Sequence, residues 1–394
     1  MQRWMVLVAL VAGACGGGGD APSVDAPRGV TADEIVIGTH TDLSGGVAIL
    51  GVPITNGQRM RYEQANAAGG VHGRKIRFVA EDSQYQLPMA VKATNKLLNV
   101  DNIFLMVGSM GTPMNIALMP RMFEANVPSL FPTTAATQMY EPLHPMKFAY
   151  FVSYRDQIRG AMAYLVEKHG FKKVCTQVVA SDYGQEVEAG FEQAVEDHEL
   201  EVVYVGRHKP AETDFVGTVT AIKNSGCELL ALGPLIKDAI LIYTAARDAG
   251  WDAPIVSNMV PYLPEVAAAA DGAMEGFYAA ASYYFPDFEA EVAAGSWAGD
   301  WFREYAEAFG EDPAPQTVIG YVMADLVVRA LEEAGRDVTV AKILAALERI
   351  DRYEDPFGGP SLSFSPTKHQ GGDYLNLYQV QGGKWVTVEK NLPY

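Results

Sequence analysis

An α/β fold of two parallel-sheet lobes is predicted by three observations on this 394-residue chain. Short apolar runs alternate with amphipathic stretches of helical length, the pattern of parallel strands linked by crossover helices. The pattern completes one lobe with a strand at 129–131 and begins afresh near Tyr154. A length of 394 residues, 49% of them hydrophobic, is enough for two cores.

In the first lobe Ile35-Val36-Ile37-Gly38 reads as a strand, 54–67 as a helix ended by Gly69-Gly70, and 76–80 as the next strand. Pro88 suits the first turn of a helix carrying Val91, Leu97 and Leu98, because its missing N–H has no helical partner there anyway. A strand over 103–107 stops at Gly108. Thr112 before Pro113 then reads as an N-cap with proline at N1, opening a helix toward Phe123, and Ser129-Leu130-Phe131 is another strand.

In the second lobe, helix 158–168 leads to strand 174–179, helix 185–197 to strand 202–205, and helix 215–223 to strand 229–232. Helix 239–249, strand 255–256 and an extended segment 276–281 follow. Both 297–309 and 318–334 are helical. In the latter, Ile319, Val322, Met323, Leu326 and Ala330 form an apolar stripe, Asp325, Arg329 and Glu332 are expected to face out, and Gly335 stops the helix. Strands 375–380 and 384–388 around Gly382-Gly383 close the chain as a hairpin.

The N-terminus indicates where the chain works. Arg3, an apolar run over 5–11 and the small residues Ala12-Gly13-Ala14 before Cys15 resemble a bacterial lipobox. Such a run is too short to span a bilayer, which takes about 20 apolar residues. Residues 1–15 therefore read as a lipoprotein signal peptide with Cys15 as the lipidation site, and 16–32, rich in Gly and Pro, as a flexible tether. An ordinary cleaved signal with a chance cysteine is the alternative.

The net charge of -18 comes without basic clusters, which argues against nucleic acid and against docking on anionic lipid. Cys175 and Cys227 have no zinc spacing and lie in or beside apolar runs, so buried free thiols are expected. An exported protein permits a disulfide, but adjacent parallel strands seldom present the required Cβ geometry. None of the 7 histidines pairs at metal spacing, and lone histidines usually sit at the surface or as caps. GxSxG, HExxH, Walker and strand-borne GxGxxG motifs are missing, so neither enzyme chemistry nor a cofactor or metal is expected.

Periodicity leaves the pieces after Gly276 unassigned to a lobe, but the residues carry a resemblance. Ile35-Val36-Ile37-Gly38 through Leu43-Ser44-Gly45, Asn66-Ala67-Ala68-Gly69-Gly70-Val71-His72-Gly73-Arg74-Lys75-Ile76, and Glu81-Asp82 resemble the opening of the leucine/isoleucine/valine-binding protein family. Val107-Gly108-Ser109, 128–133, Asp182-Tyr183-Gly184 and Gly320-Tyr321 continue the match in order, over nearly everything from Ile35 to Val388. These are the type I periplasmic solute-binding proteins of ABC importers. The resemblance implies two doubly wound lobes joined by three crossover segments, with lobe 1 taking 33–153 plus 284–355 and lobe 2 taking 154–283 plus 356–394. It further implies a monomer that closes on a small-molecule ligand by a hinge and delivers it to an inner-membrane ABC permease. Such a protein resides in the periplasm or cell envelope, touching a membrane by its lipid anchor only. A ligand-presenting receptor for a membrane kinase or chemoreceptor is the alternative from another class.

Ligands of open parallel sheets lie beyond the carboxyl ends of the strands. Those ends, read with the family pattern, nominate Leu50, Ser109, Met110, Thr112, Thr133, Thr134, Tyr183, Leu235, Asn258 and Met259. By resemblance, Thr112 holds a ligand carboxylate at a helix N-terminus, while Ala135 replaces a second carboxylate-binding threonine that Thr133 or Thr134 can stand in for. Tyr183 matches a family tyrosine. The family's ammonium-binding tyrosine and acid, however, fall at Pro234-Leu235 and near Asn258-Met259, and Leu50 replaces a covering aromatic. Free leucine, isoleucine and valine are expected to bind poorly, and a larger or less polar ligand, one carboxylate near Thr112 and Thr133 being an option, is expected unless Asp182, Asp214 or Glu265 receives an ammonium. Met106, Met114, Met119, Met122 and Met139 read as core filler; Met110 and Met259 sit at strand ends facing the cleft.

Overall fold

The structure, a computed structural model, describes residues 27–394. Cys15, the leader 1–15 and most of the tether 16–32 lie outside the described residues.

The first sheet is wound from β1 (Glu34–Thr41), α1 (Ala48–Ala67), β2 (Lys75–Asp82), α2 (Leu87–Asn99), β3 (Leu105–Val107), α3 (Thr112–Glu124), β4 (Ser129–Leu130) and β5 (Lys147–Phe148). Its order is β2-β1-β3-β4-β5, and every pairing is parallel. The second unit runs α4 (Tyr154–His169), β6 (Lys173–Val179), α5 (Asp182–His198), β7 (Glu201–His208), α6 (Val216–Asn224), β8 (Leu229–Gly233), α7 (Ile236–Asp248), β9 (Ile255–Ser257), α8 (Pro264–Ala267) and β10 (Tyr278–Ala281). Then α9 (Phe288–Ala294), α10 (Trp297–Phe309), α11 (Pro315–Ala334) and α12 (Val340–Leu347) intervene before β11 (Leu375–Gln381) and β12 (Lys384–Leu392). The second sheet reads β12-β11-β10-β9-β8-β6-β7, parallel from β7 to β10 and antiparallel at its closing hairpin.

Alternation along the first sheet distributes its side chains between two cores. Ile35, Ile37, Leu105 and Val107 join the core that holds Ile54 of α1 and Leu326 of α11. Val36 and Met106 face the opposite way, toward Leu97 of α2 and Met114 of α3. The helices after β10 thus return to the first lobe, with α11 pressed along α1. Glycine permits this approach: a Cβ on Gly320 would lie 1.9 Å from the Ile54 carbonyl oxygen, and one on Gly57 2.0 Å from that of Thr317.

The chain passes between the lobes near 149–154, 282–287 and 370–375, and these passages lie side by side. Ala149 bridges Gln370, the Val152 N–H donates to Ser282 Oγ at 3.1 Å, and the Tyr378 hydroxyl donates to the Tyr283 carbonyl at 2.9 Å. Phe357 packs on Trp301 and Tyr321, and Phe364 on Phe131 and Phe148, so the segment after residue 355 still lies against the first lobe.

Several expectations need correction. Cys175 and Cys227 form a disulfide with Cα atoms 5.9 Å apart. Cys227 precedes β8, so it is free of the strand-pair geometry that argued against the bond. Asp325 faces inward, accepting from Arg61 and Arg329 at 2.7 Å each and from the Tyr353 hydroxyl at 2.9 Å. Thr112 is the first residue of α3; the N-cap is Gly111, whose φ of 98° suits glycine. His40, His208 and His369 are buried.

Candidate ligand-binding cleft

The carboxyl ends of strands from both sheets converge on a cavity with about 660 Å³ of unfilled space, its solvent-facing mouth included. On the first lobe, the turn from β3 into α3 supplies Met110, Gly111 and Thr112. Its shape is set by hydrogen bonds. The Met110 N–H donates to the His40 carbonyl at 2.9 Å and the Thr133 N–H to that of Ser109 at 2.8 Å. Ser109 Oγ donates to Asn115 Oδ1 at 2.6 Å, while Asn115 Nδ2 donates to the Ser109 and Gly111 carbonyls at 2.9 Å each. The Thr112 and Thr134 hydroxyls lie 2.6 Å apart.

One flank is apolar, with Val47, Leu50 and Ile54 from the start of α1 and Ile319 from α11. The aromatic wall is Tyr85, Tyr154, Tyr183 and Tyr283, and Leu235, Met259 and Val260 complete the second-lobe side. The Tyr183 ring meets Tyr154 edge-on at 4.8 Å. Its hydroxyl donates to the Pro234 carbonyl at 3.1 Å and accepts from Asn258 Nδ2 at 2.9 Å, while the Tyr283 hydroxyl donates to the Met259 carbonyl at 3.2 Å. Burial pushes all these tyrosine hydroxyls above their ordinary range, so the wall is uncharged.

Among the described residues lining this cavity there is no Asp, Glu, Lys, Arg or His. Asp182 borders a neighbouring opening with Gln185, Glu188 and Arg207; Asp214 lies in another hollow beside Leu241; Glu265 is exposed on α8. The most polar group in the wall is Gln316, near the start of α11. It is 1% exposed, and neither its amide nitrogen nor its amide oxygen has a hydrogen-bond partner. Outside the cavity lining, Glu186 of α5 accepts from the Thr137 N–H at 2.9 Å, the Thr137 hydroxyl at 2.6 Å and Gln138 Nε2 at 2.9 Å.

Of the residues nominated from sequence, Leu50, Met110, Thr112, Thr133, Thr134, Tyr183, Leu235 and Met259 share this cavity. Ser109 and Asn258 stand behind it, Ser109 accepting from the Thr133 N–H through its carbonyl and Asn258 donating to the Tyr183 hydroxyl, two neighbours that line it. Sequence reasoning missed Val47, Ile54, Tyr85, Tyr154, Val260, Tyr283, Gln316 and Ile319. Val47 and Ile54 carry a usable signal, the i, i+3, i+7 spacing that includes Leu50. Tyr283 and Gln316 carry none, since their distance in sequence hides where the chain returns.

A family model of periplasmic binding proteins matches residues 34–384. The chain belongs to this family. An amino acid binding protein of Pseudomonas aeruginosa is 27% identical over 310 residues, covering 77% of this chain and 79% of that protein. A leucine-, isoleucine-, valine-, threonine- and alanine-binding protein of the same organism is 24% identical over 332 residues, covering 84% and 86%. Among solved structures, a fatty acid ABC transporter substrate-binding protein from Thermomonospora curvata superimposes with a TM-score of 0.81 at 25% identity, over 94% of this chain and 95% of that one. Membership and fold support a solute-binding role. Among the described residues, no helix is long and apolar enough to cross a membrane.

Proposed function

We propose that this protein is the substrate-binding component of an ABC importer, held at a membrane of the cell envelope by acylated Cys15, and that its solute is a small apolar carboxylate and not an amino acid. The observation that carries the ligand class is a cavity with an aromatic and aliphatic wall and no charged side chain among the described lining residues. A primary ammonium closed into it would lose its water without gaining a carboxylate, at a cost of several kcal/mol. A carboxylate is better served. The Thr112 and Thr134 hydroxyls stand together at the N-terminus of α3, where first-turn N–H groups lack helical acceptors and the helix dipole favours an anion. The two Pseudomonas relatives are named for amino acids, whereas the Thermomonospora structure is named for fatty acids; the uncharged lining sides with the latter.

Closure about the three side-by-side passages would bury the solute and create the surface a permease distinguishes. Binding, with no bond made or broken, is the whole activity proposed. Isothermal titration of the purified full chain with octanoate, benzoate, leucine, isoleucine and valine tests the ligand class: the carboxylates bind and the amino acids do not. Submicromolar binding of any of the three amino acids would overturn it. For the anchor, cells expressing wild type and Cys15→Ser are labelled with radioactive fatty acid, and equal label in both would refute the assignment.

A further inference from the structure

We propose that Gln316 is a specificity-determining residue that hydrogen-bonds a second, uncharged polar group of the solute, making the ligand an apolar carboxylate that also carries a hydroxyl. The inference rests on the carboxylate reading above and deepens it. Buried amides are nearly always paired, because an unsatisfied donor or acceptor forfeits its hydration. Gln316 is 1% exposed, lines the cavity, and leaves both amide atoms without a protein partner. Gln58 Oε1 and Thr317 Oγ1 are also buried without partners, but neither residue lines the cavity, so only Gln316 of the three can be completed by a ligand.

The placement says more. Gln316 belongs to α11, which packs with α1 on one face of the first sheet, whereas Thr112 opens α3, which packs with α2 on the other. The two polar features therefore stand on opposite flanks of the sheet edge, with Leu50, Ile54 and Ile319 on the Gln316 side. A solute that reaches both has a polar group at each end and hydrocarbon between. An amide offers one acceptor and two donors, and a hydroxyl can both donate to it and accept from it. A second carboxylate or an ammonium would bring a charge that no lining side chain balances.

Isothermal titration of the full chain with octanoate and 8-hydroxyoctanoate, and with benzoate and its 2-, 3- and 4-hydroxy derivatives, tests this. Wild type is expected to bind at least one hydroxylated member about tenfold or more tightly than its parent, since a site built to hydrogen-bond a hydroxyl discriminates strongly against its absence. Gln316→Leu should abolish that preference and melt no lower than wild type because it removes the orphaned amide. Gln316→Met, closer in shape, supplies the same reading if leucine is not accommodated. Equal affinity for parent and hydroxylated acids in wild type, or a preference that survives both substitutions, overturns this inference alone. Failure of every carboxylate to bind overturns the carboxylate reading and this inference with it.

Discussion

At the scale of single residues, Tyr183 serves two purposes that a sequence alone does not separate. Its ring lines the cavity, while its hydroxyl, tied to Pro234 and Asn258, joins the ends of β8 and β9. Tyr183→Phe should keep solute affinity within about threefold but lower the melting temperature. Tyr183→Ala should weaken binding by about 1–3 kcal/mol through the lost aromatic contact and also destabilise the second lobe. Calorimetry of binding and of unfolding on both variants separates the contributions; unchanged affinity in Tyr183→Ala would place the ring outside the binding surface.

Asp355 makes a different kind of prediction. Burial pushes its carboxyl up to about 6 from 3.8, with Asp325 adding to the rise and the Phe357 and Gly359 N–H groups opposing it. A carboxyl with a raised native pKa holds its proton more tightly folded than unfolded. Its contribution is therefore present below about pH 4 and lost as pH rises through 6. Asp355→Asn should raise the melting temperature at about pH 7.5, and the difference should vanish near pH 4. A pH-independent difference would contradict this origin.

At the scale of elements, the contact between α1 and α11 ties packing to the binding surface. A methyl on Gly320 would enter the Ile54 carbonyl, so Gly320→Ala must push the helices apart. A loss of about 1–3 kcal/mol in unfolding free energy is expected from such overpacking. Solute affinity should fall as well, because Ile54, Gln316 and Ile319 lie on these helices and line the cavity. Unfolding and titration of the variant check both, and a stable variant with intact binding would mean that the helices tolerate separation.

The same elements explain what was legible in sequence. Strands and crossover helices were, because apolar runs and helical stripes are local patterns. The strand-end residues Met110, Thr112, Tyr183 and Met259 were, because a parallel sheet puts its site at one end of every strand. Asp325 was misjudged because the residue that turns it inward, Arg61, lies 264 positions away on α1. The Cys175–Cys227 bond was misjudged because strand geometry was applied to a residue that lies just before β8. Gln316 and Tyr283 went unseen for the same reason as Arg61: they enter the site on a part of the chain whose return path no local pattern records.

At the scale of the whole molecule, Glu186 links α5 of the second sheet's unit to the segment that follows the first sheet's β4. Its buried carboxylate accepts three hydrogen bonds from Thr137 and Gln138, all of them independent of solute. Glu186→Gln keeps the shape but loses the charge that strengthens these bonds. The solute-free protein should then open, seen as a larger radius of gyration by X-ray scattering, and solute affinity should fall by about tenfold because closing becomes harder. Unchanged scattering and unchanged affinity would show that the contact does not bias closure.

If the protein serves an importer as proposed, that contact would bear on traffic at the membrane. A transporter that recognises closed receptors counts an empty closed molecule as a delivery, and each such visit occupies a landing place with nothing to hand over. In the proposed importer role the Glu186 contact would set how often this happens, since it is the part of closure that does not consult the cargo. Where receptors outnumber transporters, making more of this protein should slow uptake, and a weaker grip by Glu186 should restore it.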